Sequence, residues 1–113
     1  MSRLAAVDVG TNSVLLLVAE RTPDGVVRPV REEADITRLG RGVDRSGVLS
    51  PEGMEATLEV LSRFAALARE DGARALVVTA TSAARDASNG AEFRADVSSA
   101  VLTCSVDKAT AIR

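Results

Sequence analysis

Residues 4–19 read Leu-Ala-Ala-Val-Asp-Val-Gly-Thr-Asn-Ser-Val-Leu-Leu-Leu-Val-Ala and contain two short apolar runs, 4–9 and 14–19. Between the runs, Gly10-Thr11-Asn12 supplies three residues that favour a turn. Two apolar runs separated by about four turn residues predict a β-hairpin. Because the apolarity is continuous rather than alternating, we expect both strands to be largely buried.

A second turn and a long helix follow. Thr22-Pro23-Asp24-Gly25 places Pro and Gly where a tight reversal needs them, and a more polar third strand within residues 26–39 suits an exposed edge. Glycines at 40, 42 and 47 indicate a loop. Ser50-Pro51-Glu52-Gly53 then predicts a helix start, with Ser50 as N-cap and Pro51 in the first helical position. Apolar positions spaced three and four apart continue to Ala68, and Gly72 marks the end.

The remaining pattern completes an α/β fold. Residues 75–79 predict a fourth strand, a helix starts at about Ala83, and Val101-Leu102-Thr103-Cys104 predict a fifth strand. A strand, a long helix and another strand in this order form a crossover unit. The sequence therefore predicts the order βββαβα, a mixed sheet with helices packed on it.

Composition restricts the chemistry that this single small domain can perform. The 113 residues include 14 Lys plus Arg, 16 Asp plus Glu, no His and the single cysteine Cys104. These counts exclude the common zinc sites, Cys-His nucleophile pairs, histidine acid/base catalysis and an intramolecular disulfide. Any chemistry must rest on carboxylates, arginines, hydroxyls and backbone amides.

The same counts limit the partners. A net charge of −2 argues against a broad surface for duplex nucleic acid. No stretch approaches the roughly 20 apolar residues of a membrane helix, so no membrane partner is expected. The acidic Asp8 comes too early for a signal peptide, and a lone cysteine fits a reducing compartment. We expect a cytoplasmic protein.

The first candidate site is the hairpin turn Asp8-Val9-Gly10-Thr11-Asn12-Ser13. Gly10 would let the backbone approach a ligand closely, while hydroxyls and successive amides could cradle phosphate oxygens. Asp8, at the strand end, could hold a water on Mg²⁺. The alternative is an ordinary polar hairpin turn, which has the same composition.

Two further segments carry candidate residues. In residues 79–89, Thr81 and Ser82 would lie at a helix N-terminus, where amides bind anions, and Arg85 could fork onto the same phosphate. The alternative is that Ser82 only caps the helix and Arg85 pairs with a surface carboxylate. Arg38-Leu39-Gly40-Arg41-Gly42 is either a basic glycine loop near a polyanion or, as we expect, a solvated connection.

In order and spacing these three segments resemble the N-terminal part of the exopolyphosphatase and guanosine pentaphosphate phosphohydrolase family, over about residues 4–93. The resemblance implies a ribonuclease H-like, actin-like ATPase domain. It implies binding of inorganic polyphosphate or guanosine pentaphosphate between two such domains, with Mg²⁺, release of the terminal phosphate, and a homodimer in full-length members. The chain would be a partial N-terminal domain, with residues 97–113 a divergent tail. The first motif is shared more loosely with sugar kinases, actin and heat-shock chaperones.

The resemblance also assigns residues. The first phosphate loop of the family is matched by Asp8, Gly10, Thr11, Asn12 and Ser13, with Asp8 the candidate metal ligand, and the strand-to-helix segment is matched by Thr81, Ser82 and Arg85. Asn89 matches the end of that motif and is as well explained by a structural role. Leu15 stands where the family often has a basic residue, which removes one expected phosphate contact.

No catalytic residue is assigned. The family's catalytic glutamate lies in a Ser-Gly-x-Glu-Glu-Ala-like segment, whereas no Glu follows Glu92 here and Asp107 is a poor substitute. We therefore expect a truncated or frame-shifted piece with little activity of its own, and an uncovered sheet face that favours self-association. The alternatives are a non-catalytic phosphate-binding or interaction module, and a kinase or chaperone-like ATPase of the same fold.

Overall fold

The computed structural model describes residues 2–80, 84, 86–102 and 108–111; for residues 44, 101, 102 and 108–111 it describes the backbone only. Its strands are β1 (Ser2–Val9), β2 (Ser13–Arg21), β3 (Val27–Ile36), β4 (Ala75–Ala80) and β5 (Lys108–Ala111). Its helices are α1 (Val43–Ser46), α2 (Pro51–Glu70) and α3 (Gly90–Leu102). No helix in this part of the chain combines the length and the apolarity needed to span a bilayer.

The strands form one mixed sheet in the order β3-β2-β1-β4-β5. β1 and β2 form the predicted antiparallel hairpin, β3 pairs antiparallel with β2, and β4 and β5 are parallel to β1. The second turn forms as predicted, since the Gly25 amide donates to the Thr22 carbonyl at 2.9 Å and Gly25 has a φ of 87°. The predicted βββαβα order is thus present, with α1 and β5 in addition.

Helix α2 begins and ends where its sequence signals lie. The Ser50 hydroxyl accepts a hydrogen bond from the Gly53 amide at 3.0 Å, Pro51 is the first helical residue, and Asp71 is the C-cap. The Asp71 carboxylate accepts two hydrogen bonds from Arg31, at 2.6 and 3.3 Å. Arg3 donates to the Asp71 carbonyl at 2.8 Å. Edge strand β3 and strand β1 are therefore both tied to the end of α2.

Only one face of the sheet is covered by the described residues. Val7, Val9 and Leu16 pack in a single core with Phe64 of α2 and Phe93 of α3. Residues on the opposite face, which we call the outer face, are open: Leu4, Leu15 and Leu17 are 50%, 46% and 40% exposed. The expectation that both hairpin strands are largely buried is therefore wrong for the outer face, because α2 and α3 pack on the same side.

Two local predictions also need correction. The prediction of a strand at Val101 and Leu102 is wrong, because these residues end α3, and β5 spans Lys108–Ala111. Thr103, Cys104 and the predicted helix start at Ala83 lie outside the described residues. Val97 follows Phe93 by four residues and both are buried, so the apolar run continues a helix face rather than a strand. The predicted loop after Gly40 contains the one-turn helix α1, flanked by Gly42 and Gly47 in left-handed conformations.

Candidate functional site

Asp8 and Thr79 meet at the carboxyl ends of two parallel strands. The β1–β4 register pairs the two residues, and the Thr79 hydroxyl donates a hydrogen bond to Asp8 Oδ1 at 3.0 Å. The Asp8 side chain is exposed, and its Oδ2 accepts no hydrogen bond from the described residues. One carboxylate oxygen is thus held in place while the other faces solvent.

The turn after Asp8 is closed tightly by glycine. The Gly10 amide donates to the Ser13 carbonyl at 2.8 Å, and a Cβ at Gly10 would lie 2.8 Å from that same oxygen. The Thr11 and Asn12 amides donate to no described residue, and the Thr11, Asn12 and Ser13 side chains make no hydrogen bond within the described part of the chain. The turn therefore presents several unpaired polar groups beside a carboxylate.

The other hairpin turn provides an internal comparison. There the Thr22 hydroxyl accepts from the Val26 amide at 3.2 Å and donates its single proton to the Asp24 carboxylate. The hydrogen bond from Thr22 lowers the pKa of Asp24. This turn satisfies its own polar groups, as an ordinary hairpin turn does. The turn at residues 10–13 leaves the Thr11 and Asn12 amides without partners among the described residues. This difference favours the ligand-binding interpretation over that of an ordinary polar hairpin turn.

A second segment, which we call the basic arm (residues 38–42), lies against the first turn. The Asn12 carbonyl accepts from the Thr37 and Arg38 amides at 2.9 and 3.0 Å, and the Thr11 carbonyl accepts from the Gly40 amide at 2.9 Å. A Cβ at Gly40 would overlap the Thr11 methyl group, so Gly40 packs directly against the Thr11 side chain. The sequence predicts a solvated connection here, because the two backbone hydrogen bonds from the arm and the one from Thr37 leave no local signal in the sequence.

An apolar depression of about 540 Å³ opens beside Asp8 on the outer face. Leu15 and Leu17 of β2 contribute to it, together with Ala6, Ala34 and Thr79. Leu15 pairs directly with Asp8 across the two strands. The position where the family often has a basic residue is therefore immediately next to the candidate site.

The structure brings together some of the predicted site residues. Asp8, Gly10, Thr11, Asn12 and Ser13 form one continuous surface, and their role in phosphate binding stays a prediction. Thr81, Ser82 and Arg85 lie outside the described residues. Asn89 is 40 residues from Leu49 in sequence and binds its backbone, which is a structural role. The sequence analysis does not predict the contact of Thr79 with Asp8. The signal that could have indicated this contact is the place of Thr79 near the carboxyl end of a strand parallel to β1.

The donor set at Asp8 fits a weakly chelated Mg²⁺. Among the described residues no three His, Cys, Asp or Glu side chains form a group that could enclose a metal ion. Mg²⁺ usually keeps several waters and is bound by one or two carboxylates together with substrate phosphates. A single carboxylate with one open oxygen, beside a turn with unpaired amides, agrees with that mode of binding.

Comparisons with known proteins show which family this chain belongs to. The model of the Ppx/GppA phosphatase family matches residues 17–107. The chain belongs to the Ppx/GppA phosphatase family. It is 40% identical over 108 residues to exopolyphosphatase 2 of Mycobacterium tuberculosis, covering 90% of this chain and 34% of that protein. The expected family membership is therefore confirmed.

Two further proteins show how much of each chain is similar in structure or in sequence. The crystal structure of the Aquifex aeolicus Ppx/GppA member superposes with a TM-score of 0.84 at 31% identity, covering 98% of this chain and 35% of that one. The guanosine-5'-triphosphate,3'-diphosphate pyrophosphatase of Pseudoalteromonas translucida is 33% identical over 91 residues, covering 80% of this chain and 18% of that protein. The expected actin-like fold is confirmed, and the chain spans about a third of the length of the first two relatives.

Proposed function

We propose that this chain supplies a phosphate-binding wall of an exopolyphosphatase-type phosphohydrolase. The ligand is the end of an inorganic polyphosphate chain or of guanosine pentaphosphate. One observation carries the proposal: the Thr11 and Asn12 amides and the Thr11 and Ser13 hydroxyls have no hydrogen-bond partner among the described residues, and they lie beside the Asp8 carboxylate. Such an arrangement is suited to phosphate oxygens. The name of the Mycobacterium relative, exopolyphosphatase 2, supports polyphosphate as a ligand. The name of the Pseudoalteromonas relative, guanosine-5'-triphosphate,3'-diphosphate pyrophosphatase, supports guanosine pentaphosphate.

Each group has a distinct task in this proposal. The Thr11 and Asn12 amides and the neighbouring hydroxyls donate to phosphate oxygens. Asp8 would hold Mg²⁺ through the carboxylate oxygen that Thr79 leaves free, where a bound Mg²⁺ would offset phosphate charge. Thr79 orients Asp8 by its hydrogen bond of 3.0 Å. Thr81, Ser82 and Arg85 are proposed as further phosphate contacts on the strength of the family motif.

Hydrolysis is assigned to a longer protein rather than to these residues. Attack of water on phosphorus needs a carboxylate that positions or deprotonates the water. Asp8 is committed to the metal and to Thr79, and no Glu follows Glu92. We therefore propose that this chain binds phosphate chains, and that turnover needs the remainder of the length that the relatives have.

Titration calorimetry with inorganic polyphosphate, with and without Mg²⁺, tests the proposal. We expect binding that Mg²⁺ strengthens, and Asp8→Asn should remove the Mg²⁺-dependent part. Asp24→Asn is the matched control, because it neutralises an exposed aspartate in the self-satisfied turn. Absence of binding at millimolar polyphosphate would sink the proposal. Binding of ATP in preference to polyphosphate would favour a kinase-like or chaperone-like ATPase.

The place and assembly of the protein are part of the same proposal. We infer a cytoplasmic location, because polyphosphate and guanosine nucleotides are soluble anions and the chain has a single cysteine. We also infer that a longer form dimerises. Cell fractionation and analytical ultracentrifugation of a longer form test these two inferences, and recovery in a membrane fraction or as a monomer would contradict them.

A further inference from the structure

We propose that the basic arm, residues 38–42, is a second binding element that selects extended phosphate chains over single phosphates. The inference deepens the proposed function, and it rests on the turn at residues 10–13 being a phosphate site. In this arrangement the turn binds the end of the chain, while Arg38 and Arg41 contact phosphates further along it.

The position of the arm is the first argument. Three backbone hydrogen bonds of 2.9–3.0 Å join residues 37, 38 and 40 to the carbonyls of Thr11 and Asn12. The Thr11 and Asn12 carbonyls thus already accept hydrogen bonds, while the amides of the same two residues donate to no described residue. Carbonyl oxygens repel phosphate and amides attract it. The arm therefore turns two repulsive groups toward itself and adds two arginines beside the turn.

The charge of the arm is the second argument. Arg38 and Arg41 are exposed, and no described carboxylate lies within salt-bridge distance of either. Arg3, Arg28, Arg31 and Arg63 each pair with a carboxylate. Other described arginines, such as Arg21 and Arg69, also form no salt bridge, so the position beside the turn is what distinguishes Arg38 and Arg41. A guanidinium with no acidic partner can form charge-assisted, two-point hydrogen bonds to phosphate.

The backbone of the arm is the third argument. Arg38 has a φ of 53°, the left-handed conformation that glycine adopts easily and that few other residues adopt. It is the one described non-glycine residue with a positive φ. Leu39, which follows it, is completely buried, and Gly40 touches Thr11. The left-handed backbone of Arg38 is thus fixed by the two residues that follow it. Such a strained conformation is typical of a functional position rather than of a solvated connection.

Binding of long-chain polyphosphate, tripolyphosphate and orthophosphate by calorimetry tests the inference. The double variant Arg38→Gly with Arg41→Ala should bind the long chain about tenfold more weakly. A tenfold rise in Kd corresponds to a loss of about 1.4 kcal/mol of binding free energy. Its affinity for orthophosphate should stay unchanged. The dependence of long-chain affinity on salt concentration should also become less steep, because two ionic contacts are lost.

The control keeps the charge change and moves it elsewhere. Arg21→Ala with Arg69→Ala removes two exposed arginines, one at the end of β2 away from the turn and one in the last turn of α2. This control should bind the long chain like the original protein. Glycine fits the backbone at position 38, so loss of binding cannot be ascribed to unfolding; a melting temperature verifies this.

A third variant tests position separately from charge. Gly40→Ala keeps both arginines but adds a methyl group that overlaps Thr11 Cγ2, so either the Thr11 side chain or the arm must shift, and it should also weaken long-chain binding. The arm inference is wrong if the original protein binds the long chain and the Arg38/Arg41 variant binds it equally well. It is also wrong if the Arg21/Arg69 control loses as much affinity for the long chain as the Arg38/Arg41 variant does. If the original protein binds no phosphate species, the proposed function fails first and the arm inference fails with it.

Discussion

Asn89 binds both backbone polar groups of Leu49. The Leu49 amide donates to Asn89 Oδ1 at 2.9 Å, and Asn89 Nδ2 donates to the Leu49 carbonyl at 3.0 Å. Leu49 is completely buried and lies directly before the N-cap of α2. Asn89 lies directly before α3, so it joins the start of α3 to the segment that leads into α2.

Asn89→Ala should lower the free energy of unfolding by about 2 kcal/mol, because it leaves two backbone groups without partners. Thermal and urea denaturation measure this loss. Ser88→Ala, at the exposed neighbouring position, should change stability by less than about 0.5 kcal/mol. Phosphate affinity of the folded Asn89→Ala protein should be unchanged. Loss of affinity with unchanged stability would show that Asn89 belongs to the binding site instead.

Two buried threonines should respond oppositely to removal of their hydroxyls. Thr37 Oγ1 has no hydrogen-bond partner within the described structure, whereas Thr57 Oγ1 donates to the Gly53 carbonyl at 2.7 Å. We expect Thr37→Val to raise stability by up to about 1 kcal/mol, and Thr57→Val to lower it by about 1 kcal/mol. Urea denaturation of both variants decides the matter. A loss in Thr37→Val would mean that its hydroxyl is satisfied, for example by a bound water.

The Arg31–Asp71 pair should make stability depend on pH in the acid range. The hydrogen bonds from Arg31 lower the pKa of Asp71 below its ordinary value of 3.8. A carboxyl group whose pKa is lower in the folded state stabilises the fold above its unfolded-state pKa, and this stabilisation is lost as pH falls through the folded-state pKa.

Asp71→Asn should therefore cost about 1 kcal/mol at pH 7, and the difference from the original protein should shrink below about pH 4. Melting temperatures between pH 2.5 and 7 measure this. Glu55→Gln, which neutralises an exposed glutamate on α2, serves as the control and should run parallel to the original protein. A constant difference between Asp71→Asn and the original protein at all pH values would contradict the assigned cause.

Leu15→Lys should strengthen polyphosphate binding. Leu15 is 46% exposed and lies opposite Asp8 in the hairpin, so a lysine there would place an ammonium group next to the turn at low cost in burial. We expect affinity to rise about threefold, the size of one exposed ion pair. Leu17→Lys is the matched control, since Leu17 lies on the same face opposite Ala6, further from the turn. Equal gains in both variants would indicate a general charge effect.

Much of the fold could be predicted because its signals are local. The turn Thr22-Pro23-Asp24-Gly25, the Ser50 cap and the spacing of apolar residues in α2 each depend on neighbouring residues. The prediction of strand at Val101 and Leu102 is wrong because a short apolar run has no period of its own. Only the packing of Phe93 and Val97 shows that Val101 continues a helix.

The sequence by itself determined the first hairpin, the boundaries of α2 and the polar turn at residues 10–13, because hydrophobic spacing and turn chemistry depend on consecutive residues. Tertiary structure alone decided three other features: that Thr79 bonds to Asp8, that the basic arm lies against Thr11 and Asn12, and that Leu4, Leu15 and Leu17 remain exposed. Each depends on residues distant in sequence, and on which face of the sheet the two helices occupy. Periodicity shows that a residue is apolar, but only packing shows what covers it.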